Sequence, residues 1–132
     1  MAYYGYRAAL RGTPGRAVSN LELAWAAGVL EGEGCFKRNG GNFKRGLPGT
    51  TQHITVGQKD PEILLQLKEM FGGYLNHQDR RYASRAGTAE YEIWNWGLTG
   101  PRARGVMLTV YPFMSERRKA QIRDALKKTG EA

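Results

Sequence analysis

Cysteine, histidine and long apolar runs are all scarce in this chain of 132 residues. The one cysteine, Cys35, excludes an intrachain disulfide and zinc sites of the CxxC type. The two histidines, His53 and His77, have no partner at metal-ligand spacing, so we expect surface or groove residues rather than a zinc site. No apolar run approaches the roughly 20 residues that cross a bilayer, and the N-terminus lacks the apolar core of a signal peptide. These absences favour a non-membrane protein of an intracellular compartment, either the cytoplasm or an organelle.

Acidic residues are also fewer than basic ones. The chain carries 20 Lys plus Arg against 12 Asp plus Glu, which gives a net charge of +8. Such an excess favours a polyanionic partner, with nucleic acid first, although solubility alone is the alternative explanation. The length suits one domain, which we expect over residues 19–132 after a flexible arm at residues 1–18 that is rich in Tyr and Arg.

The first helix has clear start and stop signals. Ser19 is an N-cap candidate, and Glu22 follows three residues later, which is the capping-box pattern. Apolar and small residues then continue to Leu30, and the glycines Gly32 and Gly34 end the helix.

This helix carries both a flat face and an acidic end. Gly28 and Gly32 are four residues apart, so a second helix backbone can approach them closely. We expect a homodimer with Ala27, Gly28, Glu31 and Gly32 at its interface. If two copies met there, their carboxylates would converge and repel each other unless they held a divalent cation. A dimer axis, a metal site and a basic chain together suggest a nuclease.

The rest of the sequence predicts two β-hairpins with a helix between them and two helices after them. Strand-like runs at 35–43 and 51–59 precede a helix that Asp60-Pro61 opens and that ends at Gly72-Gly73. Strands at 74–82 and 88–97, joined by a loop at 83–87, precede helices at 101–111 and 116–128, separated by Pro112. The order α-β-β-α-β-β-α-α predicts an α+β fold, in which a four-stranded antiparallel sheet has helices on one face.

The sheet face opposite the helices is the predicted DNA-binding surface. A twisted antiparallel ribbon fits the major groove, where Asn, Gln and Arg suit base edges and Lys suits phosphates. Trp94 and Trp96 share one face, and we expect core packing rather than base stacking. The DNA-binding candidates in the two hairpins are Lys37, Asn39, Asn42, Lys44, Arg45, His53, Thr55, Asn76, Gln78, Arg80, Arg81 and Arg85.

Three segments carry a resemblance to a known family. The run Ala-Ala-Gly-Val-Leu-Glu-Gly-Glu-Gly at 26–34 resembles the LAGLIDADG motif, with Glu in place of both aspartates. Val-Gly-Gln-Lys at 56–59 and Tyr-Pro-Phe-Met at 111–114 resemble two further segments of LAGLIDADG homing endonucleases. The likeness covers about residues 20–126 and includes only one copy of the motif.

The resemblance implies a homodimeric, site-specific DNA endonuclease with the family's α-β-β-α-β-β-α domain. Such an enzyme makes metal-dependent double-strand cuts in a long pseudo-palindromic site, with Mg²⁺ as cofactor and Mn²⁺ as a substitute. Glu33 matches the metal ligand, the Gly32 carbonyl can complete that site, and Glu31 matches an acidic position that is structural. Gln58 matches a residue that orients water, and either Arg117 or Lys119 matches a basic residue near the scissile phosphate.

Two other functions fit the same surface. One is an RNA-binding intron maturase, and the other is a catalytically inactive DNA-binding module of the same fold. All three predict a basic surface, whereas only the nuclease requires Glu33 and a divalent metal.

Overall fold

The protein has the α+β architecture that the sequence predicts. The computed structural model describes residues 17–39, 51–84 and 87–127, with the backbone alone for 79–84 and 87–91. This part of the chain forms four α-helices and a four-stranded antiparallel sheet. The elements in chain order are α1 (Asn20–Glu33), β1 (Gly34–Asn39), β2 (Thr51–Gln58), α2 (Glu62–Phe71), β3 (Tyr74–Ser84), β4 (Gly87–Thr99), α3 (Pro101–Val110), a 3-10 turn (Tyr111–Phe113) and α4 (Glu116–Leu126).

Helix α1 begins and ends at the residues that its sequence indicates. The Ser19 hydroxyl accepts a hydrogen bond from the Glu22 backbone N–H at 3.2 Å, and the Glu22 carboxylate accepts from the Ser19 N–H at 3.1 Å. The predicted capping box is therefore confirmed. At the other end, a Cβ on Gly34 would lie 2.7 Å from the Leu30 carbonyl oxygen. Only glycine fits there, which lets β1 leave the helix directly.

The sheet has the strand order β1-β2-β4-β3. Gly34 pairs with Val56 across β1 and β2, and Val56 pairs with Trp96 across β2 and β4. Because side chains alternate along a strand, these positions share one face, which we call the inner face. Its buried apolar residues form a single core with the helices, and they are Phe36, Ile54, Val56, Trp96 and Leu98.

Trp96 lies in this core, as expected. It is fully buried, and its indole N–H donates to the Gly72 carbonyl oxygen at 2.9 Å. Trp94 is half-buried, packs against the core and lies with its ring centroid 4.2 Å from that of His77. The prediction of core packing is thus confirmed for Trp96 and holds in part for Trp94.

The second hairpin is longer than the sequence indicates. Strand β3 continues to Ser84, and β4 runs from Gly87 to Thr99, so the predicted loop at 83–87 is too long. Ala83 pairs with Thr88 and Ser84 pairs with Gly87 in the ladder. Small residues give little strand signal, but their backbone groups still pair across the hairpin.

Helix α2 begins slightly later than predicted, and the break before α4 falls where expected. Pro61 rather than Asp60 is the N-cap residue, although the Asp60 carboxylate still accepts from the Glu62 N–H at 3.0 Å. The 3-10 turn contains Pro112, and Ser115 caps α4. None of the helices in the described ranges is long and apolar enough to cross a lipid bilayer.

Candidate functional site

The exposed side of α1 is an open surface of small residues. A Cβ added at Gly28 or Gly32 would meet no atom within 4 Å. Ala24 is exposed beside them, and Leu21, on the same side one turn earlier, is 83% exposed. These four residues, Leu21, Ala24, Gly28 and Gly32, form what we call the open face of α1.

Ala27 does not belong to the open face, which corrects its predicted place beside Gly28. It is 4% exposed and packs with Ala26 and Leu30 in the core of the protomer. Successive helical residues are rotated by about 100°, so Ala27 and Gly28 point in different directions. Ala24, one turn before Gly28, takes the place that the sequence analysis gave to Ala27.

Glu31 joins the end of α1 to the start of α4. Its carboxylate accepts from the Ser115 backbone N–H at 2.6 Å and from the Ser115 hydroxyl at 2.9 Å. The buried Arg118 donates its Nε–H to the Glu31 carbonyl oxygen at 2.8 Å and its Nη1–H to Gln121 Oε1 at 2.9 Å. We call this set of contacts the Glu31 junction. The carboxylate thus has its hydrogen-bonding partners within its own chain.

The junction perturbs the ionisation of Glu31. The pKa of the carboxyl lies below its ordinary value, chiefly because the Ser115 backbone N–H donates to the ionised form. Desolvation opposes the shift, while the Ser115 hydroxyl and the charges of Arg118 and Arg117 support it. A negative charge is also favoured beside the N-terminus of α4, where backbone N–H groups are unsatisfied.

Glu33 has a different environment from Glu31. It is the last residue of α1 and is exposed, and it forms no hydrogen bond or ion pair with the described part of the chain. Within that part of one chain, no three His, Cys, Asp or Glu residues are grouped closely enough to hold a metal ion. The two carboxylates therefore differ: that of Glu31 is hydrogen-bonded within the chain, whereas that of Glu33 has no partner among the described residues.

Gln58 lies close to the end of α1 by virtue of the strand register. Gly34, which follows Glu33, pairs with Val56, two residues before Gln58. Gln58 itself is half-buried, pairs with Trp94 and has no side-chain hydrogen bond to the described residues. The structure therefore brings the end of α1 and the end of β2 together, as the site prediction requires.

The two basic candidates of α4 differ in their surroundings. Arg117 is exposed and close enough to Glu31 for its charge to lower the pKa of that carboxyl. Lys119 instead pairs with Glu116 at 3.8 Å and lies over the Tyr111 ring, 5.5 Å from its centroid. Arg117 is therefore the candidate beside the end of α1.

Six of the predicted DNA-binding residues share the face of the sheet opposite the core. Lys37 pairs with His53, Thr55 pairs with Gly97, and Gly97 pairs with Tyr74. By alternation, the outer face that these pairs define contains the predicted residues Lys37, Asn39, His53, Thr55, Asn76 and Gln78, together with Tyr74, Asn95, Gly97 and Thr99.

His53 is not a surface residue, contrary to expectation. It is 8% exposed on the outer face, and its two ring nitrogens contact Asn39 Nδ2 and the Tyr74 hydroxyl. Burial lowers the pKa of His53, and the positive charge of Lys37 lowers it further. The sequence analysis missed Tyr74 as a partner, because nothing local in the sequence links residues 21 positions apart.

Several predicted residues cannot be placed. The N-terminal arm over residues 1–16 lies outside the described ranges, and so do Asn42, Lys44, Arg45 and Arg85. Arg80 and Arg81 lie in β3, where only the backbone is described.

No protein-family model matches the chain, and no curated protein matches it.

Proposed function

We propose that the chain is a homodimeric, divalent-metal-dependent DNA endonuclease of the LAGLIDADG homing type. The observation that carries the proposal is the end of α1. There the open face leads directly to the exposed carboxylate of Glu33, which has no partner among the described residues, while Glu31 is hydrogen-bonded to α4. The α-β-β-α-β-β-α order and the antiparallel sheet are the arrangement that this family would require.

The donor set at the end of α1 fits a hard divalent cation. Mg²⁺ prefers oxygen ligands and commonly uses one or two carboxylates while it keeps several waters. Two copies of α1 packed along their open faces would supply two Glu33 carboxylates, and the Gly32 carbonyl is a further oxygen. Mn²⁺, with similar ligand preferences, would substitute. When bound, the ion would act as a Lewis acid at the phosphate and favour ionisation of water.

The neighbouring side chains have separate roles in this proposal. Gln58 has a free amide near the end of α1, which can hold a water in line with the scissile phosphate. Arg117 can donate to the phosphate as negative charge develops on it, and Lys119, two residues later in α4, is the alternative. Glu31 does not touch the substrate but fixes α4, and hence Arg117, against the end of α1.

Cleavage of DNA selected by the protein itself tests this proposal. The wild-type protein is incubated with a randomised duplex library and Mg²⁺, and the cut ends are sequenced. We expect cuts on both strands inside a pseudo-palindrome, related by two-fold symmetry. Glu33→Gln keeps the size of the side chain but removes the charge, so it should abolish cutting while binding in Ca²⁺ persists. Glu62→Gln, an exposed carboxylate in α2, is the matched control and should cut normally.

If the net charge of +8 contributes to DNA binding, the affinity for DNA should depend steeply on salt concentration. For six to ten neutralised phosphates, log K should fall against log salt with a slope of roughly −5 to −9. A flat response would contradict DNA binding. Salt-dependent duplex binding without cutting would instead favour the inactive DNA-binding module, and a preference for structured RNA would favour the maturase.

A further inference from the structure

The outer face of the sheet contains a chain of three polar side chains, which we call the outer-face network. His53 lies at its centre on β2, where its Nδ1 contacts the Asn39 Nδ2 and its Nε2 lies 3.0 Å from the Tyr74 hydroxyl. Asn39 is on β1 and Tyr74 is on β3, so the network connects strands that are not neighbours in the sheet. His53 and Arg118 are the two buried polar or charged residues in the described part of the chain.

A glycine on the intervening strand makes room for the network. Gly97 of β4 pairs with both Thr55 and Tyr74. A Cβ at Gly97 would lie 2.1 Å from the Tyr74 Cζ and 2.2 Å from its hydroxyl oxygen. The tyrosine ring therefore crosses β4 directly over Gly97 and reaches His53, which no other residue at position 97 would allow without moving the ring.

The contacts fix the tautomer of the imidazole. An amide N–H can only donate, so the His53 Nδ1 that faces Asn39 must be the unprotonated acceptor. The proton then lies on Nε2, which donates to the Tyr74 hydroxyl. Burial favours this neutral form, because it lowers the pKa of His53.

The tautomer of His53 and the orientation of the Asn39 amide depend on each other. With Nδ2 held towards His53, the Asn39 oxygen cannot exchange places with the nitrogen without bringing two acceptors together. Asn39 is exposed, and its side chain forms no other hydrogen bond with the described residues. Of the two amide hydrogens, the one trans to the oxygen can be donated to His53. The oxygen and the hydrogen cis to it then lie together on the other edge of the amide. That edge presents one acceptor and one donor.

We propose that Asn39 is a specificity-determining residue that reads an adenine in the major groove, and that His53 and Tyr74 are positioning residues that set its orientation. Adenine presents an N7 acceptor and an N6 donor in the major groove, which match the free edge of the amide. Lys37, exposed two residues before Asn39 on the same strand, is suited to a neighbouring phosphate. The inference rests on the proposed DNA binding and adds one base position to it.

Base preferences of matched variants test the inference. Duplexes are selected from a randomised library in Ca²⁺, which permits binding without cutting, and base frequencies are compared position by position. The wild type should prefer adenine at one position of each half-site. Asn39→Ala should reduce that preference by about 5- to 150-fold, as expected for the loss of a bidentate contact, and leave other positions unchanged. Asn76→Ala, an exposed amide on the same face, should act at a different position.

Substitution of a positioning residue should change the base preference without changing stability or general DNA affinity. Tyr74→Phe keeps the ring over Gly97 and removes only the hydroxyl, so it should weaken the preference at the Asn39 position. It should leave the thermal unfolding temperature and the affinity for unselected DNA nearly unchanged. A purely structural role would instead lower stability or affect all positions alike.

Three outcomes would overturn the inference. The first is unaltered base frequencies with Asn39→Ala. The second is selection of guanine at the position that Asn39 controls, which would mean that the amide presents its donors outward. The third is an intact preference at that position with Tyr74→Phe, in which case His53 and Tyr74 do not position Asn39. In each case the protein still binds DNA, whereas the absence of any salt-dependent duplex binding would refute the proposed function as well.

Discussion

Substitution of Gly28 should stabilise the protomer and weaken its self-association. In a single chain, a methyl group at Gly28 would have no described atom within 4 Å besides the backbone of its own helix, so it would cause no steric clash. Alanine is favoured over glycine in a helix interior by about 0.5–1 kcal/mol, because glycine loses more backbone entropy on folding. Gly28→Ala should therefore raise the free energy of unfolding of the protomer by that amount, and its Tm by roughly 2–4 °C.

The effect on the dimer has the opposite sign. If two α1 helices pack along their open faces, a methyl group on each helix separates the backbones at their closest approach. Gly28→Leu adds a bulkier side chain and should abolish association, while its helix propensity still favours the folded protomer. The proposed interface therefore predicts that position 28 tolerates a larger side chain in the monomer but not in the dimer.

Thermal unfolding over a hundredfold range of protein concentration, with sedimentation velocity, separates the two effects. For the wild type, Tm should rise with concentration, because dissociation accompanies unfolding. For Gly28→Leu, Tm should be independent of concentration, and the protein should sediment as a monomer. Gly105→Ala is the matched control: this α3 glycine also has open space around its Cβ, so it should give the same helical gain without changing association.

Three results would refute this reasoning. If the dimer dissociation constant of Gly28→Leu equals that of the wild type, the open face is not the interface. At concentrations where the wild type is dissociated, destabilisation by Gly28→Ala alongside stabilisation by Gly105→Ala would show that Gly28 is not open in the single chain. A wild-type protein that stays monomeric at micromolar concentration without DNA would contradict the homodimer itself.

Three further predictions concern stability. Gly34→Ala should destabilise the protein by about 1–3 kcal/mol in urea unfolding, because its methyl group would overlap a backbone carbonyl of α1 that lies 2.7 Å from the Cβ position. Trp96→Phe should cost about 2–4 kcal/mol in the same assay, since the buried Gly72 carbonyl loses its donor and a void replaces part of the indole. Because the hydrogen bond from Ser115 lowers the pKa of Glu31, the stability that this carboxylate contributes is complete above its ordinary pKa and is lost as pH falls through the lowered value. Glu31→Gln should therefore remove part of the acid-induced fall in Tm between neutral pH and about pH 3.

The local signals in the sequence predicted the elements well. The capping box at Ser19 and Glu22 involves residues three apart, and both of its hydrogen bonds form. The strand-like run that ends at residue 59 forms β2, where Ile54 and Val56 are both buried because a strand with one face in the core has a period of two. Such signals need only a few consecutive residues, so a single sequence contains them.

The errors lie where the outcome depends on distant residues. His53 lies between polar residues of β2, and one of the side chains that covers it is Tyr74, whose ring crosses Gly97 to reach it. In α1, small residues occur on every side, so the sequence could not distinguish Ala27, which packs in the core, from Ala24, which is exposed. The junction of Glu31 with Ser115 joins residues 84 positions apart, and no local pattern indicates it.

The different environments of the Glu31 and Glu33 carboxylates connect the fold to the proposed chemistry. A negative charge at the C-terminus of a helix is unfavourable, and α1 ends with two of them. For Glu31 the cost is offset, because its carboxylate also lies at the N-terminus of α4 and accepts two hydrogen bonds from Ser115. Glu33 has no such partner among the described residues, so its charge would be stabilised by a cation. The same junction that stabilises the charge of Glu31 keeps Arg117 close to that carboxylate at the end of α1, and we infer that Glu31 supports catalysis by position while Glu33 supplies the ligand.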